Sequence, residues 1–364
     1  MWESIKKLEY RAKADIADAK AELSSRLADR MELPLSGIHG EKLYLTGISK
    51  LQNKVKELDL LYGKLPNNRR VKDTILLDAW SSATIEGART TVAKVRQSFE
   101  NPKTKDDLMV VNTIKGCNYA YGRPITQKNI RRLWETVVAD VCENADHKGK
   151  QYRDGMLYIG SSSRIIHTPA APEQLPSMME QWFMFMESES VDLLIQAFTA
   201  HFYFVYVHPF CDGNGRTARI LNSSQLYHGG YRKMKNLPLS NAINNQLSGY
   251  YSSLSGSEAV LYGEEGSWLD LSPFVSYMLE AFERCMIDAS LSVNALTESE
   301  SKILERMNKV GVNAEITVTK AAKIIDRSES ATRKVLNSLS AKGYLTVDTT
   351  HTPFLYRLQQ HIPN

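Results

Sequence analysis

The chain has 364 residues, 43% of them apolar and 24% charged, which excludes a disordered or collagen-like chain and leaves room for one large domain and one or two smaller ones. Lys and Arg exceed Asp and Glu by four, too little for whole-chain electrostatic binding to nucleic acid, so any such role is local. Four scattered cysteines with no CxxC spacing fit a reducing compartment rather than a secreted disulfide scaffold.

The N-terminus lacks the apolar core of a signal peptide, and residues 1–30 mix charge with Ala and Leu in a helical pattern. Met31 to Thr46 holds Pro34, Gly37 and Gly40 and reads as a connector. Apolar spacing then predicts helices over Ile48–Tyr62, Asp73–Glu86, Thr90–Phe99, Asp106–Tyr121 and Thr126–Val141, with Thr126 as an N-cap. Leu157-Tyr-Ile and Arg164-Ile-Ile-His-Thr, around Gly160-Ser-Ser-Ser, give a β-hairpin signal. Helices are expected again over Glu173–Glu187, Val191–Val207, from Asn214 to Tyr227, and over Leu271–Leu291. Leu193 to Cys211 is the longest stretch free of charge. Gln196, Thr199, His201 and His208 interrupt it, so a buried core helix is expected rather than a membrane span. After Ala295 the pattern is helix, helix, a two-residue Asp326-Arg327 turn, helix, and two short strands, which is a winged helix-turn-helix order.

The chemistry concentrates in His208-Pro-Phe-Cys-Asp-Gly-Asn-Gly-Arg-Thr-Ala-Arg219. Gly213 and Gly215 let backbone approach an anion, and a helix opening there aims its free N–H groups at it. Arg216 and Arg219, three apart, can fork onto phosphate oxygens. Asp212 is a hard oxygen ligand suited to Mg²⁺ shared with phosphates. His208 can be neutral at pH 7 and accept a hydroxyl proton.

This segment resembles the Fic family signature, HxFx(D/E)GNGRxxR, at all its specified positions. The resemblance covers roughly residues 35–290 and implies a mainly α fold, a Fic-type helical bundle with one β-hairpin flap, followed by the small α+β winged-helix domain. The division expected is an N-terminal helical segment (1–34), the Fic domain (35–294) and the winged helix (295–364). The activity implied is a protein adenylyltransferase that moves AMP from ATP onto a Ser, Thr or Tyr hydroxyl of a target or of itself, releasing pyrophosphate, with Mg²⁺. His208 is then the general base, Asp212 the metal ligand, Gly213, Asn214 and Gly215 the anion hole, and Arg216 and Arg219 the phosphate grips. Ser82-Ala-Thr-Ile-Glu86-Gly87 matches the family's inhibitory pattern, with Ser82 and Glu86 at its specified positions; the Glu86 carboxylate would pair with Arg219, occupy the γ-phosphate's place and leave ATP misaligned. Ile165, Ile166 and His167 would dock the target at the flap, and Tyr250 and Tyr251 would line the nucleoside or pack in the core. A homodimer and a cytoplasmic location are expected, with no membrane contact. Three alternatives stand beside this: removal of AMP through Glu86, transfer of another phosphate-bearing group, and a DNA-binding regulator that uses Arg333 and Lys334 while the Fic domain senses nucleotide. Protein docking is the other use of such a winged helix.

Overall fold

The structure is a computed structural model and describes residues 27–65, 71–142, 150–161, 164–263, 266–294, 297–310, 314–342, 344–349 and 353–358. It divides into two compact units, the break falling between Met286 and Ile287. The helix expected over residues 1–30 falls, as far as residue 26, outside the described residues, as do two residues of the expected boundary at 295–297.

The first unit is built around its most apolar helix. Helices α1 (Ile48–Gly63), α2 (Val71–Ile85), α3 (Val92–Ser98), α4 (Lys105–Tyr121), α5 (Gln127–Val138), α6 (Leu175–Glu187), α7 (Leu193–Val207), α8 (Asn214–His228), α9 (Leu239–Asn244), α10 (Leu247–Ser257) and α11 (Ser272–Asn294) follow in order, the residues of α11 from Ile287 on belonging to the second unit. Every residue of α7 except Leu193 and Val205 is buried. A helix apolar on all sides has to be enclosed, and α6 and α8 pack along it. Phe198, Phe202 and Phe204 are fully buried there, each contributing roughly 1.5–3 kcal/mol over an exposed position. Gln196 donates to the Phe185 carbonyl at 2.9 Å and accepts from Gln225 at 3.0 Å, while Thr199 Oγ1 and His201 Nδ1 are buried with no hydrogen-bond partner among the described residues. Among the described residues no helix is long and apolar enough to cross a membrane.

The helix starts carry their sequence signals. Thr91, Thr104 and Thr126 each accept, through the side chain, the N–H three residues on. The connector read over Met31–Thr46 is corrected: β1 (Arg30–Ser36) and β2 (Lys42–Thr46) form an antiparallel pair there. Leu33 and Leu35 face the core in alternation, and Pro34 is tolerated because β1 is an edge strand. The glycines belong to the turn between the strands, where a side chain at Gly37 would meet the Glu41 carboxylate at 2.2 Å. β5 (Leu261–Gly263) and β6 (Gly266–Asp270), which no reading of the sequence assigned, complete a four-stranded sheet in the order β1-β2-β6-β5, with β2 and β6 parallel. The mainly α class stands, with this sheet added to the expected hairpin. That hairpin is β3 (Ile159–Ser161) with β4 (Arg164–His167), pairing Ile159 with His167 across a bulge at Gly160. A Cβ at Gly160 would lie 2.1 Å from the Arg164 carbonyl oxygen, so the bulge requires glycine.

The second unit holds α12 (Glu298–Val310), β7 (Glu315–Ile316), α13 (Val318–Ile325), α14 (Glu329–Ala341), β8 (Leu345–Asp348) and β9 (Leu355–Leu358), with sheet order β7-β9-β8. Ile303, Met307, Leu336, Leu339 and Tyr356 are core residues. Thr317 and Ser328 cap the two helices that flank the turn at Asp326.

Candidate active site

The site lies where α7 stops and α8 starts. The last helical carbonyls of α7 meet His208, which adopts the left-handed conformation (φ 56°) and sends its backbone N–H to Phe204 at 3.0 Å. The imidazole Nδ1 is 3.1 Å from the Val205 carbonyl oxygen. A carbonyl only accepts, so Nδ1 carries the proton and Nε2 keeps the lone pair. Burial pushes the imidazole down to about 4, which leaves it neutral at pH 7.

The loop from His208 to Gly213 is held on both sides. Asn214 clasps Phe210 twice, accepting its N–H at 3.0 Å and donating to its carbonyl at 2.7 Å. The Phe210 ring stacks on Trp134 of α5 at 4.7 Å, and the Trp134 indole N–H donates to the Asp212 carbonyl at 2.7 Å. Behind His208 lies Arg153, 3% exposed. Its Nε donates to the His208 carbonyl at 2.8 Å and its Nη1 to the Gly155 carbonyl at 2.8 Å, while Nη2 reaches the Ala170 carbonyl. Its backbone N–H donates to Pro209 at 3.0 Å. Cys211 lies 3.8 Å, sulfur to sulfur, from Cys142, and burial pushes its thiol up to about 12.

Gly213 (φ 73°) turns the chain into α8, whose first N–H groups have no partner within the helix. Over that end sits Glu86, brought by the turn after α2. A Cβ at Gly215 would lie 2.1 Å from Glu86 Oε1, so the carboxylate rests directly on this backbone. The same oxygen accepts from Arg219 Nη2 at 2.7 Å. Arg219 also donates to the Ser82 hydroxyl at 2.8 Å and the Ser82 carbonyl at 2.9 Å. Burial opposes the Glu86 charge, but the Arg219 guanidinium outweighs it and holds the carboxyl below the usual range. Arg216, 1% exposed, donates to the Val137 carbonyl at 3.2 Å and lies 3.5 Å from Asp212. Its Nε is buried with no hydrogen-bond partner among the described residues. Asp212 accepts the Gly213 N–H at 2.6 Å through one oxygen and is about half exposed. Among the described residues no three His, Cys, Asp or Glu cluster as a metal cage. A lone exposed carboxylate beside a phosphate cradle suits a Mg²⁺ shared with phosphates, because that ion takes one or two carboxylates and fills its remaining positions with water and phosphate oxygen.

The other expected positions separate. Ile165 and Ile166 are exposed at 57% and 66%. His167 is turned inward, its Nε2 2.7 Å from the Tyr206 carbonyl and its Nδ1 3.0 Å from Glu258. Tyr250 is 2% exposed, bonds His201 at 3.1 Å inside the core, and also meets the Arg219 guanidinium through its hydroxyl. Tyr251 is 48% exposed and donates to the Ile85 carbonyl at 3.2 Å, next to Glu86. Sequence reading gave no individual role to Arg153, Trp134 or Glu258.

Residues 124–226 match the Fic/DOC family model. The chain is similar to the protein adenylyltransferase Fic of Drosophila erecta, 27% identical over 260 residues that make up 66% of this chain and 48% of that protein. The Drosophila virilis protein of the same name is 27% identical over 72% of this chain and 52% of its own length. The chain thus spans about half the length of the curated relatives it matches. Among solved structures, a Fic family protein from Desulfovibrio desulfuricans G20 superposes with a TM-score of 0.58 at 17% identity, covering 86% of this chain and 97% of that one, which is a likeness of fold. Helix α5, the hairpin and the loop from His208 to Arg219 all lie within the matched span, and the chain carries a Fic/DOC family domain there.

Proposed function

We propose that this chain is a protein adenylyltransferase whose own Glu86 restrains it. The observation that carries the reading is the seat of the Glu86 carboxylate, on the N-terminus of α8 and 2.7 Å from Arg219. That is where a nucleotide's terminal phosphate would be met by helix N–H groups and a guanidinium, so a resident carboxylate marks an anion site and fills it. With Glu86 withdrawn, Arg219 takes the γ-phosphate and Arg216 turns its buried Nε toward phosphate oxygen. His208 Nε2 accepts the proton of a target hydroxyl as that oxygen bonds the α-phosphorus and pyrophosphate leaves. Asp212 would hold Mg²⁺, which supplies charge neutralisation on the phosphates. The protein's contribution is positioning and preorganised charge. Ile165 and Ile166 on the exposed hairpin are the surface for an extended target segment, which would add to its edge.

The test incubates wild type, Glu86→Gly and His208→Ala with Mg²⁺ and ATP labelled at the α-phosphate, then at the γ-phosphate. The expected result is α-label on protein, strong in Glu86→Gly and absent in His208→Ala. Transfer of γ-label would replace the reading with a kinase-like one. No label in any variant would overturn adenylyl transfer for this chain. Release of AMP from labelled protein by wild type, lost in Glu86→Gly, would add a removal activity.

For the second unit we propose a winged helix that contacts DNA through α14. The capped helix pair joined at Asp326, the three-stranded sheet and the exposure of Arg333 and Lys334 support it. A gel shift against genomic fragments should weaken when both residues are neutralised; binding unchanged by that substitution, or no shift, favours a protein-docking module.

A further inference from the structure

Outside the phosphate cradle, one pair of nucleophilic side chains has no role in the transfer. Cys211 lies in the catalytic loop, between the clamped Phe210 and Asp212. Cys142 lies just past α5, its backbone N–H donating to Val138 at 3.2 Å. The two sulfurs are 3.8 Å apart and both residues are partly exposed, whereas Cys117 and Cys285 are buried. A disulfide needs about 2.05 Å, so closure would bring the sulfurs nearer by roughly 1.8 Å. Phe210 is pinned by Asn214 and Trp134, and Trp134 also holds the Asp212 carbonyl, so a shift of Cys211 strains the Trp134–Asp212 hydrogen bond next to it.

We propose that Cys142 and Cys211 are a redox-modifiable dithiol whose disulfide draws Asp212 and Gly213 out of place and shuts off the cradle. The shut-off rests on the adenylyl-transfer reading, while the disulfide itself does not. With a hydroperoxide as oxidant, the Cys142 sulfur attacks the peroxide oxygen as its thiolate, while Cys211 keeps its proton. The O–O bond breaks, and the alcohol (water, from hydrogen peroxide) leaves behind a sulfenic acid. The second sulfur attacks that sulfur, the S–S bond forms, the S–O bond breaks, and the hydroxide leaves as water with the thiol proton. Two electrons pass from the sulfurs to the peroxide, and a dithiol reductant reverses the change.

The test treats the full chain with hydrogen peroxide, alkylates the remaining thiols and maps peptides without reduction. A Cys142–Cys211 linked peptide is expected, lighter than its parts by two hydrogens, reversed by dithiothreitol and absent in Cys142→Ser. In the Glu86→Gly background AMP transfer should fall about tenfold or more on oxidation and recover on reduction, because small displacements at a reacting centre cost large factors in rate. Cys142→Ser in that background should keep its transfer throughout. Trp134 bonds Asp212 and gives a readout independent of activity: its emission, assigned by difference from Trp134→Phe, should change on closure. No linked peptide, or linkage to Cys117 or Cys285, would overturn the dithiol. A linked peptide with Trp134 emission unchanged, or with transfer unchanged, would overturn the coupling. If the reduced Glu86→Gly chain transfers no label, the adenylyl-transfer reading fails, and the peptide map and Trp134 still decide this one.

Discussion

Arg216 and Arg219 leave neighbouring turns of one helix, both almost fully buried, and are satisfied in opposite ways. Arg219 has a hydroxyl, a carbonyl and a carboxylate from the α2 segment around it, and the Tyr250 hydroxyl from α10. Arg216 has one carbonyl, a long contact to Asp212 and a buried Nε with no partner among the described residues. Burial works against both charges, but the Glu86 carboxylate raises the Arg219 pKa above its ordinary value, while burial leaves that of Arg216 depressed. A buried cation is tolerated only with partners, so the two sides of the cradle report different states. The Arg219 side is filled by the chain's own anion. The Arg216 side keeps a buried donor unused among the described residues, and the loop beside it must hold its shape without help from α2.

The largest expected effect breaks that loop. Arg153→Ala would strip the His208, Gly155 and Ala170 carbonyls of their shared donor and leave a cavity. Each buried carbonyl left without its donor costs about 1–3 kcal/mol, so the loss of all three comes to about 3–5 kcal/mol. At about 2–4 °C per kcal/mol for a unit of this size, thermal melting should drop by roughly 6–20 °C. Arg153→Lys should recover only part, because one ammonium cannot fork to three carbonyls. A melting temperature for the alanine variant within about 2 °C of wild type would mean that the loop holds itself.

Next comes the Arg219 side. Glu86→Gly removes a charged hydrogen bond worth about 1.5–3 kcal/mol, so α-label transfer should rise by about 10-fold to 150-fold. Ser82→Ala removes a neutral partner and should raise it by only a few fold, about 1 kcal/mol. Equal gains from the two variants would put the restraint in the whole α2 segment rather than in the carboxylate.

Much of this site could be read along the chain because its parts are contiguous. His208 to Arg219 supplies the imidazole proposed as base, the turn and both guanidines within one helix break, and local backbone rules locate them. Groups that act across the fold left weaker marks. The Ser82 and Glu86 pattern was visible, but their contact with Arg219 spans more than 130 residues. Arg153 reaches 55 residues ahead to hold His208, and no spacing rule announces that. The β1-β2-β6-β5 sheet escaped for a related reason. Its pairing of Leu43 with Leu269 joins distant segments, and Pro34 with the glycines of the turn imitates a loop. Tyr250 and Tyr251 show the limit on a single helix, since neighbouring tyrosines take a core position and a surface position beside Glu86.

A subtler change tests the place where the two sides touch. Gly215→Ala puts a methyl group 2.1 Å from Glu86 Oε1 and 3.2 Å from Arg219 Nη1. Overpacking of this kind costs about 1–3 kcal/mol. In the Glu86→Gly background the nearer obstacle is gone, so a double-mutant cycle on unfolding free energy should show a coupling of about 1–2 kcal/mol. Additive effects would mean that the carboxylate swings away from α8 at no cost, which would weaken it as a restraint.

The smallest effect lies at the flap, away from both arginines. His167 meets a carbonyl oxygen at Nε2 and the Glu258 carboxylate at Nδ1. Both neighbours accept, so both nitrogens need protons and the imidazolium is the form that fits. Burial and the nearby Arg153 oppose that charge, but the Glu258 bond and charge, with the Tyr206 carbonyl, prevail and raise the pKa of His167. In the unfolded chain the group titrates near 6.5. Its contribution to stability is therefore fully present below that pH and is lost as pH rises through the higher folded value. Glu258→Gln should abolish this decline, at a cost of no more than about 1 kcal/mol at pH 6. Hydrogen exchange at Ile165 and Ile166 gives the local reading: protection should fall in wild type as pH climbs above 6.5, after correction for intrinsic exchange, and stay flat in the variant. Equal pH dependence in both would show that Glu258 does not hold the hairpin. The shape of the hairpin edge would then be set by the Gly160 bulge and the β3-β4 pairing alone.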